Sequence, residues 1–164
     1  MAEQLIITAT DKSGIYAELL PQIKAVVSAE TDLIANMANV SAILKEAFGF
    51  WWVGFYIVKP SDGGEELVLG PFQGPLACTR IRKGRGVCGT AWAKEETIVV
   101  PDVEQFPGHI ACSSLSKSEI VVPVFDQTGK VKAVLDIDSE HLATFDVVDK
   151  EWLEKILCNL FHWN

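Results

Sequence analysis

The sequence predicts an α+β domain in which antiparallel strands lie between helices at the two ends of the chain. Apolar residues recur at helical spacing near both termini, and two hairpin patterns rich in β-branched and aromatic residues lie between them. Hairpins placed between helices are typical of an antiparallel α+β sandwich. The chain has 164 residues, 49% of them hydrophobic, and no linker or repeat divides it, so we expect one domain over residues 1–164.

The terminal helices are predicted from their apolar spacing and their end signals. In the first helix, 13–29, Pro21 is expected to begin a new turn or to kink the helix. Thr31 is the expected N-cap of a second helix, which ends at Gly49 because glycine favours the position after a helix C-cap. The last helix is predicted over residues 146–161.

The strand predictions rest on apolar runs closed by turn residues. The first run, 50–58, is followed by a Pro- and Gly-containing turn at 59–64 and then by its hairpin partner. A second hairpin has its turn at 126–129. Between the hairpins we expect a short helix that begins near Gly86 and a loop over 102–117. The predicted strands are 50–58, 65–69, 97–100, 120–125 and 130–137.

The charge balance excludes some partners. Lysine and arginine number 14 against 22 aspartates and glutamates, a net charge of −8 that repels phosphate backbones and anionic membranes. We therefore expect neither a nucleic-acid nor a membrane partner. No signal-peptide pattern begins the chain, and no apolar run approaches the roughly 18 residues that span a bilayer, so we expect a cytoplasmic protein. In a reducing compartment its four cysteines are more often thiols, metal ligands or redox groups than structural disulfides.

Three cysteines, Cys78, Cys88 and Cys112, lie in the least regular part of the chain, where reactive groups are usually displayed. Cys88 falls near the predicted start of the short helix, with Lys83 and Arg85 close in sequence. A helix N-terminus and nearby cations favour a thiolate, so we expect a depressed pKa for Cys88.

Two other interpretations of these cysteines stay open. A zinc ion could bind the three loop cysteines with His109, but structural zinc sites normally contain close pairs such as C-x2-C, so we assign no metal ligand. The cysteines could also be buried structural thiols, because free cysteine is among the most buried residue types. Cys158, on the last predicted helix, is interpreted as a packing residue.

Acidic and aromatic side chains share strand faces. Asp136 and Asp138 alternate along the last predicted strand, and Glu119 opens the strand before it. Charged groups in an apolar strand must be paired, so these residues either bind a cationic group such as an amine or form a solvated outer face. Trp52 and Tyr56, four apart in a strand, also share a face and either line a small pocket or belong to the core.

Four segments resemble the free methionine-(R)-sulfoxide reductases, which are GAF-domain enzymes. They read GPFQGPLAC, GVCG, FPGHIAC and LDIDS, and lie at 70–78, 86–89, 106–112 and 135–139. The resemblance implies a GAF-like central antiparallel sheet flanked by N- and C-terminal helices. It also implies reduction of the free amino acid L-methionine-(R)-sulfoxide without a bound cofactor, with thioredoxin as reductant and a homodimeric assembly. The alternative is a non-catalytic GAF sensor module that binds a small ligand.

The resemblance also implies roles for individual residues. Cys112 is the expected nucleophile that becomes a sulfenic acid, and Cys78 the thiol that resolves it to a disulfide. Cys88 is implied as a second thiol able to assist or exchange, and which of the two dominates resolution stays open. At Ser113 the chain departs from the family pattern of an acidic residue after the nucleophile. Loss of that negative charge is expected to favour the Cys112 thiolate.

The implied substrate contacts come from the acidic and aromatic residues. Glu119 is implied as an acid that protonates the departing sulfoxide oxygen, and also as an ammonium ligand together with Asp136 and Asp138. Trp52 and Tyr56 are implied to hold the substrate methyl group. The groups that bind the substrate carboxylate stay open, with free backbone N–H groups near Cys112 or the Gly86 helix start as candidates.

Overall fold

The computed structural model describes residues 4–110 and 112–160. Over these residues the chain forms four α-helices, one short 3-10 turn at Val103–Gln105 and one six-stranded antiparallel sheet. The helices are α1 (Lys12–Ser28), α2 (Leu33–Phe48), α3 (Gly86–Lys94) and α4 (Val147–Leu160). The strands are β1 (Trp52–Ser61), β2 (Gly64–Gln73), β3 (Arg80–Arg82), β4 (Ile98–Val100), β5 (Ser118–Phe125) and β6 (Val131–Ser139). The predicted antiparallel α+β fold is confirmed.

The strand order in the sheet is β3-β2-β1-β6-β5-β4. The two predicted hairpins, β1-β2 and β5-β6, meet side by side because β1 also pairs with β6. β1 and β6 are thus the two central strands, and each presents alternate side chains to opposite faces of the sheet. The sequence predicted neither the pairing of β1 with β6 nor strand β3. The alternating Arg-Ile-Arg pattern of β3 is only three residues long.

The two faces of the sheet have different coverings. On one face, Val53, Phe55 and Leu135 belong to a core cluster that α1, α2 and α4 complete. On the other face, Tyr56 and Val134 pack in a second cluster with residues of α3. Burial of apolar side chains on both faces fixes the register, because a slip of one residue would exchange the two faces.

The ends of α1 and α2 follow from capping chemistry. Asp32, not Thr31, is the N-cap of α2, and its side chain accepts a hydrogen bond from the Ala35 N–H at 2.9 Å. Both residue types can cap a helix, so the sequence alone did not distinguish Thr31 from Asp32 as the N-cap. Gly49 ends α2 in the left-handed conformation with φ 67°, as predicted. α1 runs through Pro21 without ending there, held by its buried apolar face.

The C-terminal helix α4 packs on the sheet and on α1. Its buried face contains Leu153 and Ile156, whereas Cys158 is exposed, so the prediction that Cys158 is a packing residue is wrong. Lys12 Nζ and Tyr16 Oη of α1 donate to the Asp149 carboxylate at 2.6 and 2.8 Å. The predicted helix end at Phe161 lies outside the described residues. Within the described residues no helix is both long and apolar enough to cross a membrane.

Candidate active site

A cavity of about 50 Å³ lies on the α3 face of the sheet, beneath two loops. Its floor is formed by β1, β5 and β6, and its wall by the start of α3. The loops that cover it are the segment after β2 and the segment before β5. The cavity brings together all but one of the predicted site residues, namely Trp52, Tyr56, Cys88, Cys112, Glu119, Asp136 and Asp138. Cys78, the remaining one, is bonded to a lining residue.

The three acidic residues lie on one face because of the β5-β6 register. Glu119 pairs directly with Asp138, and Asp136 pairs with Val121, two positions from Glu119 on the same face. Glu119 is 5% exposed and Asp136 6% exposed, while Asp138 is half-buried. The alternative of a solvated outer face is therefore wrong, and the acids line an enclosed site.

Burial sets the protonation of these acids. It raises the pKa of Glu119 well above its usual range, and the negative charges of Asp136 and Asp138 raise it further. Burial likewise raises the pKa of Asp136, with the charge of Asp138 as the next cause. The pKa of Asp138 is raised to about 6 by burial, against the opposing effect of Ser116, whose Oγ donates to Asp138 Oδ1 at 2.5 Å. The cluster therefore favours bound protons or a bound cation.

The aromatic pair shares one strand face, as the four-residue spacing predicted, and it both lines the cavity and belongs to the core cluster on that face of the sheet. The rings of Trp52 and Tyr56 stack with centroids 6.0 Å apart, and Trp52 also stacks on Phe72 at 5.3 Å. Gly54 lies between them on the same strand face and leaves the space that these rings use. A Cβ at Gly54 would collide with Phe72 and would lie 2.9 Å from Trp52 Cη2. A glycine inside an otherwise bulky strand was the available sequence signal for this close approach.

The same aromatic residues hold the loop that contains Cys78. Trp52 Nε1 donates to the Pro75 carbonyl at 3.0 Å, and Tyr56 Oη donates to the Cys78 carbonyl at 2.9 Å. Burial raises the pKa of Tyr56, so its hydroxyl stays protonated as a donor. These two bonds fix the loop backbone beside the cavity.

Two of the three loop cysteines are joined. Cys78 and Cys112 form a disulfide with their Cα atoms 5.8 Å apart, and Cys112 is exposed whereas Cys78 is half-buried. The zinc ligand set considered from the sequence is therefore not assembled in this state, because two of its sulfurs are bonded to each other. The exposed position of Cys112 leaves the disulfide open to attack by an external thiol.

Cys88 is a free thiol with 3% exposure on α3. Its pKa is raised, chiefly by burial and then by the charges of Asp136 and Glu119. The prediction of a depressed pKa is therefore wrong, because burial and two carboxylates outweigh the helix N-terminus. Lys83 does not offset them, since its ammonium lies over the Trp92 ring at 5.0 Å from the centroid.

Two further polar residues belong to the site. His109 Nδ1 lies 3.9 Å from Glu119 Oε2, and this nitrogen is buried without a hydrogen-bond partner among the described residues. Burial lowers the pKa of His109, so the ring favours its neutral form. Ser116 is fixed against Asp138 as described. The sequence indicated His109 only as a possible zinc ligand and gave no signal for Ser116, because loop residues have no periodicity that would predict which strand they contact.

The cavity could hold a cation of either of two kinds. One ligand atom each from Cys88, Glu119 and Asp136 lies within 4.8 Å of the other two. An ammonium group could donate hydrogen bonds to the acids, and a metal ion could use the thiolate and carboxylate atoms as ligands. The chemistry available beside this cation site is thiol-disulfide exchange at Cys112 and Cys78.

The fold and the enclosed site define a GAF domain, and a family model described as "GAF domain" matches residues 31–157. The chain is 60% identical over 157 residues to "GAF domain-containing protein A" of Dictyostelium discoideum, covering 96% of this chain and 97% of that protein. It is 42% identical over 151 residues to "Free methionine-R-sulfoxide reductase" of Saccharomyces cerevisiae, covering 89% of this chain and 83% of that protein.

A solved structure extends the comparison to three dimensions. It is the X-ray structure of free methionine-R-sulfoxide reductase from Neisseria meningitidis in complex with its substrate. It shares 60% sequence identity with this chain at a TM-score of 0.91, and the match covers 96% of this chain and 92% of that one. The chain belongs to the free methionine-R-sulfoxide reductase family of GAF domains.

Proposed function

We propose that this protein reduces free L-methionine-(R)-sulfoxide to L-methionine. The observation that carries the proposal is the Cys78–Cys112 disulfide beside a cavity that contains buried acids and an aromatic pair. The relatives named free methionine-R-sulfoxide reductase support the same activity. The overall reaction converts one sulfoxide and two thiols into one sulfide, one disulfide and water, so the methionine sulfur gains the two electrons that the thiols lose.

In the first step the Cys112 thiolate attacks the sulfoxide sulfur. The sulfur–oxygen bond of the substrate breaks and the oxygen is transferred to the Cys112 sulfur, which becomes a sulfenic acid. Methionine is then released. In the second step the Cys78 thiol attacks the Cys112 sulfenic sulfur, a disulfide forms and water leaves. The product of the second step is the bond observed between these residues. Prompt disulfide formation protects Cys112 from irreversible oxidation.

Glu119 is the proposed general acid. Departure of the sulfoxide oxygen needs a proton, and burial keeps the pKa of Glu119 high enough to hold one. Asp138, with a pKa of about 6, carries a negative charge at neutral pH and is suited to the substrate ammonium group. We propose that Asp136, the third acid of the cluster, shares this ammonium contact.

Trp52 and Tyr56 are proposed to hold the substrate methyl group against their stacked faces. The buried acids that line the cavity favour a substrate with a free ammonium group. A peptide-bound sulfoxide lacks that ammonium group and would leave the acids unpaired.

Cys78 is proposed as the main resolving thiol, because it is the partner of Cys112 here. Cys88 is buried, and its raised pKa makes it a poor thiolate, so we propose that it assists only after a local rearrangement. Thioredoxin is the proposed reductant, acting on the exposed Cys112 side of the disulfide. We further propose a cytoplasmic protein that functions in oxidative stress and assembles as a homodimer.

We also propose that residues 1–164 form one GAF domain. The family model begins at residue 31, yet α1 precedes it and packs onto α4. The buried Asp149 of α4 binds Lys12 and Tyr16 of α1, which supports a single folding unit.

The direct test is turnover of the free (R)-sulfoxide, the free (S)-sulfoxide and a peptide-bound sulfoxide, with thioredoxin, thioredoxin reductase and NADPH consumption as the readout. We expect NADPH consumption with the free (R) epimer alone. Cys158→Ser is the matched control, since Cys158 is an exposed cysteine outside the cavity, and it should keep full activity. If no substrate is consumed while a dithiol control is reduced, a ligand-binding GAF module becomes the better explanation.

A further inference from the structure

Two polar atoms on the cavity surface lack partners, although buried polar atoms in proteins are nearly always satisfied. Asp136 Oδ1 and His109 Nδ1 are both buried without a hydrogen-bond partner among the described residues. Asp136 is 6% exposed, and both residues line the same cavity. The hydrogen bonds between the Asp136 carboxyl group and the Glu119 and Cys88 side chains still leave Oδ1 without a partner in the part of the chain that the structure describes. Two unpartnered atoms that face one cavity indicate a ligand able to bind both a carboxylate oxygen and an imidazole nitrogen.

The atoms around this point have the chemistry of a zinc ligand set. Cys88 contributes sulfur, and Glu119 and Asp136 contribute oxygen, with the three atoms within 4.8 Å of one another. His109 Nδ1 lies 3.9 Å from Glu119 Oε2. In a tetrahedral zinc site with bonds of about 2.0 to 2.3 Å, neighbouring ligand atoms are roughly 3.3 to 3.8 Å apart. Shifts of about 1 Å or less would therefore bring the Cys88, Glu119 and Asp136 atoms to bonding distance, and His109 would approach from the side of Glu119.

We propose that Cys88, Glu119 and Asp136, with His109 as the fourth ligand, form a binding site for Zn²⁺. Sulfur and imidazole ligands select zinc over magnesium or calcium, which prefer oxygen. The site differs from a zinc site at the three loop cysteines, because it needs neither Cys78 nor Cys112. It is therefore complete while those two residues form their disulfide.

The electrostatics of the cavity agree with this geometry. Repulsion among the acids and the cost of burying charge favour protonated forms, and a dication supplies the missing opposite charge. On binding, zinc replaces the protons of the Cys88 thiol and of the two carboxyl groups. The backbone supports the set, because β5 and β6 hold the acids in register while α3 holds Cys88.

A zinc ion at this point would occupy the place of the substrate ammonium group. Zinc should therefore inhibit turnover by competing with the sulfoxide, a consequence that rests on the proposed function. Binding itself does not rest on that function. The two can be tested separately, because binding is measured on the disulfide form, which performs no chemistry on the substrate.

The first experiment is calorimetric titration of the disulfide form with zinc chloride. We expect one zinc per chain. Cys88→Ser and His109→Gln should each lower the affinity by more than the roughly 10- to 100-fold that loss of an outer-shell partner costs. Cys158→Ser, which removes the other free thiol, should keep the affinity of the unmodified chain. Absence of binding, or equal affinity with and without Cys88, overturns the proposal.

Cobalt provides a second test that does not depend on the folding of Cys88→Ser. Co²⁺ bound to the unmodified disulfide form should show a thiolate-to-cobalt charge-transfer band in the near ultraviolet, and Cys158→Ser should keep it. Loss of the band in Cys158→Ser, or its absence from the unmodified chain, would rule out Cys88 as a ligand. If zinc binds at Cys88 but the protein reduces no sulfoxide, the proposed function fails and the metal site stands.

Discussion

The raised pKa of Asp138 makes a quantitative prediction about folding stability. Burial raises this pKa from 3.8 to about 6, so the folded state disfavours the charged form. One pKa unit corresponds to 1.36 kcal/mol, and the shift therefore costs up to about 3 kcal/mol of unfolding free energy above pH 7. Below the unfolded-state pKa of 3.8 the cost vanishes. It develops as the pH rises from 3.8 to about 6, and it is fully present above that pH.

Asp138→Asn should remove this cost and retain a carbonyl oxygen that accepts the Ser116 hydroxyl hydrogen bond. We expect the variant to be more stable than the unmodified chain by up to about 3 kcal/mol at pH 8 and about equally stable at pH 4. At roughly 2 to 4 °C per kcal/mol for a chain of this size, the midpoint of thermal unfolding should rise by about 6 to 12 °C at pH 8. The KM for the sulfoxide should rise, because the ammonium group loses a charged partner.

The assay is urea unfolding of both proteins between pH 4 and pH 8. Asp126→Asn is the matched control, because hydrogen bonds from Thr128 lower the pKa of Asp126. The substitution should therefore change the stability in the opposite direction. That variant should be less stable than the unmodified chain by a nearly constant amount from pH 8 to pH 4, because the stabilisation is lost only as the pH falls through the folded-state pKa of Asp126, which lies below 3.8. A stability gain in Asp138→Asn that stays constant from pH 4 to pH 8 would refute the electrostatic explanation.

Four further predictions concern the thiols, the acid and the aromatic wall. Cys112→Ser should abolish turnover, whereas Cys78→Ser should permit one rapid turnover and then stall, which pre-steady-state methionine release will distinguish; full steady-state activity in Cys112→Ser would contradict the nucleophile assignment. Glu119→Gln should lower kcat by about 10²- to 10⁴-fold with a smaller change in KM, and the opposite pattern would identify an ammonium ligand instead. Gly54→Ala should push apart the Trp52 and Phe72 rings, raise KM and cost about 1 to 3 kcal/mol of stability by urea unfolding. Ser113→Asp should raise the apparent pKa of the reduced Cys112 thiol in pH-dependent alkylation, and a lower pKa would contradict this electrostatic explanation.

The sequence predicted the strand face of the site better than its surroundings. Period two along β6 placed Asp136 and Asp138 on one face, because side-chain alternation depends only on local backbone geometry. Placing Glu119 opposite Asp138 required the register between two strands. That register depends on burial of both sheet faces and on the turn, which no short window of sequence contains.

The cysteines show where local reasoning fails. Cys88 lies near a helix N-terminus as predicted, yet the sign of its pKa shift depends on two carboxylates from β5 and β6 that are distant in sequence. The exposure of Cys158 depends on how α4 is rotated against the sheet, and one apolar residue more or less on a helix does not determine that rotation. Both errors come from tertiary context, whereas the helices and hairpins come from local periodicity.

The loop that contains Cys78 is held through its backbone, which affects how freely its sequence can change. Trp52 and Tyr56 bond to the carbonyl oxygens of Pro75 and Cys78, and every residue type offers such an oxygen. Leu76, between these two anchors, is 91% exposed. Related chains can therefore vary the residues between the anchors and still present the cysteine correctly, provided that both aromatic donors are kept. The outer surface of this loop is thus free to change in sequence while its backbone keeps its position beside the cavity.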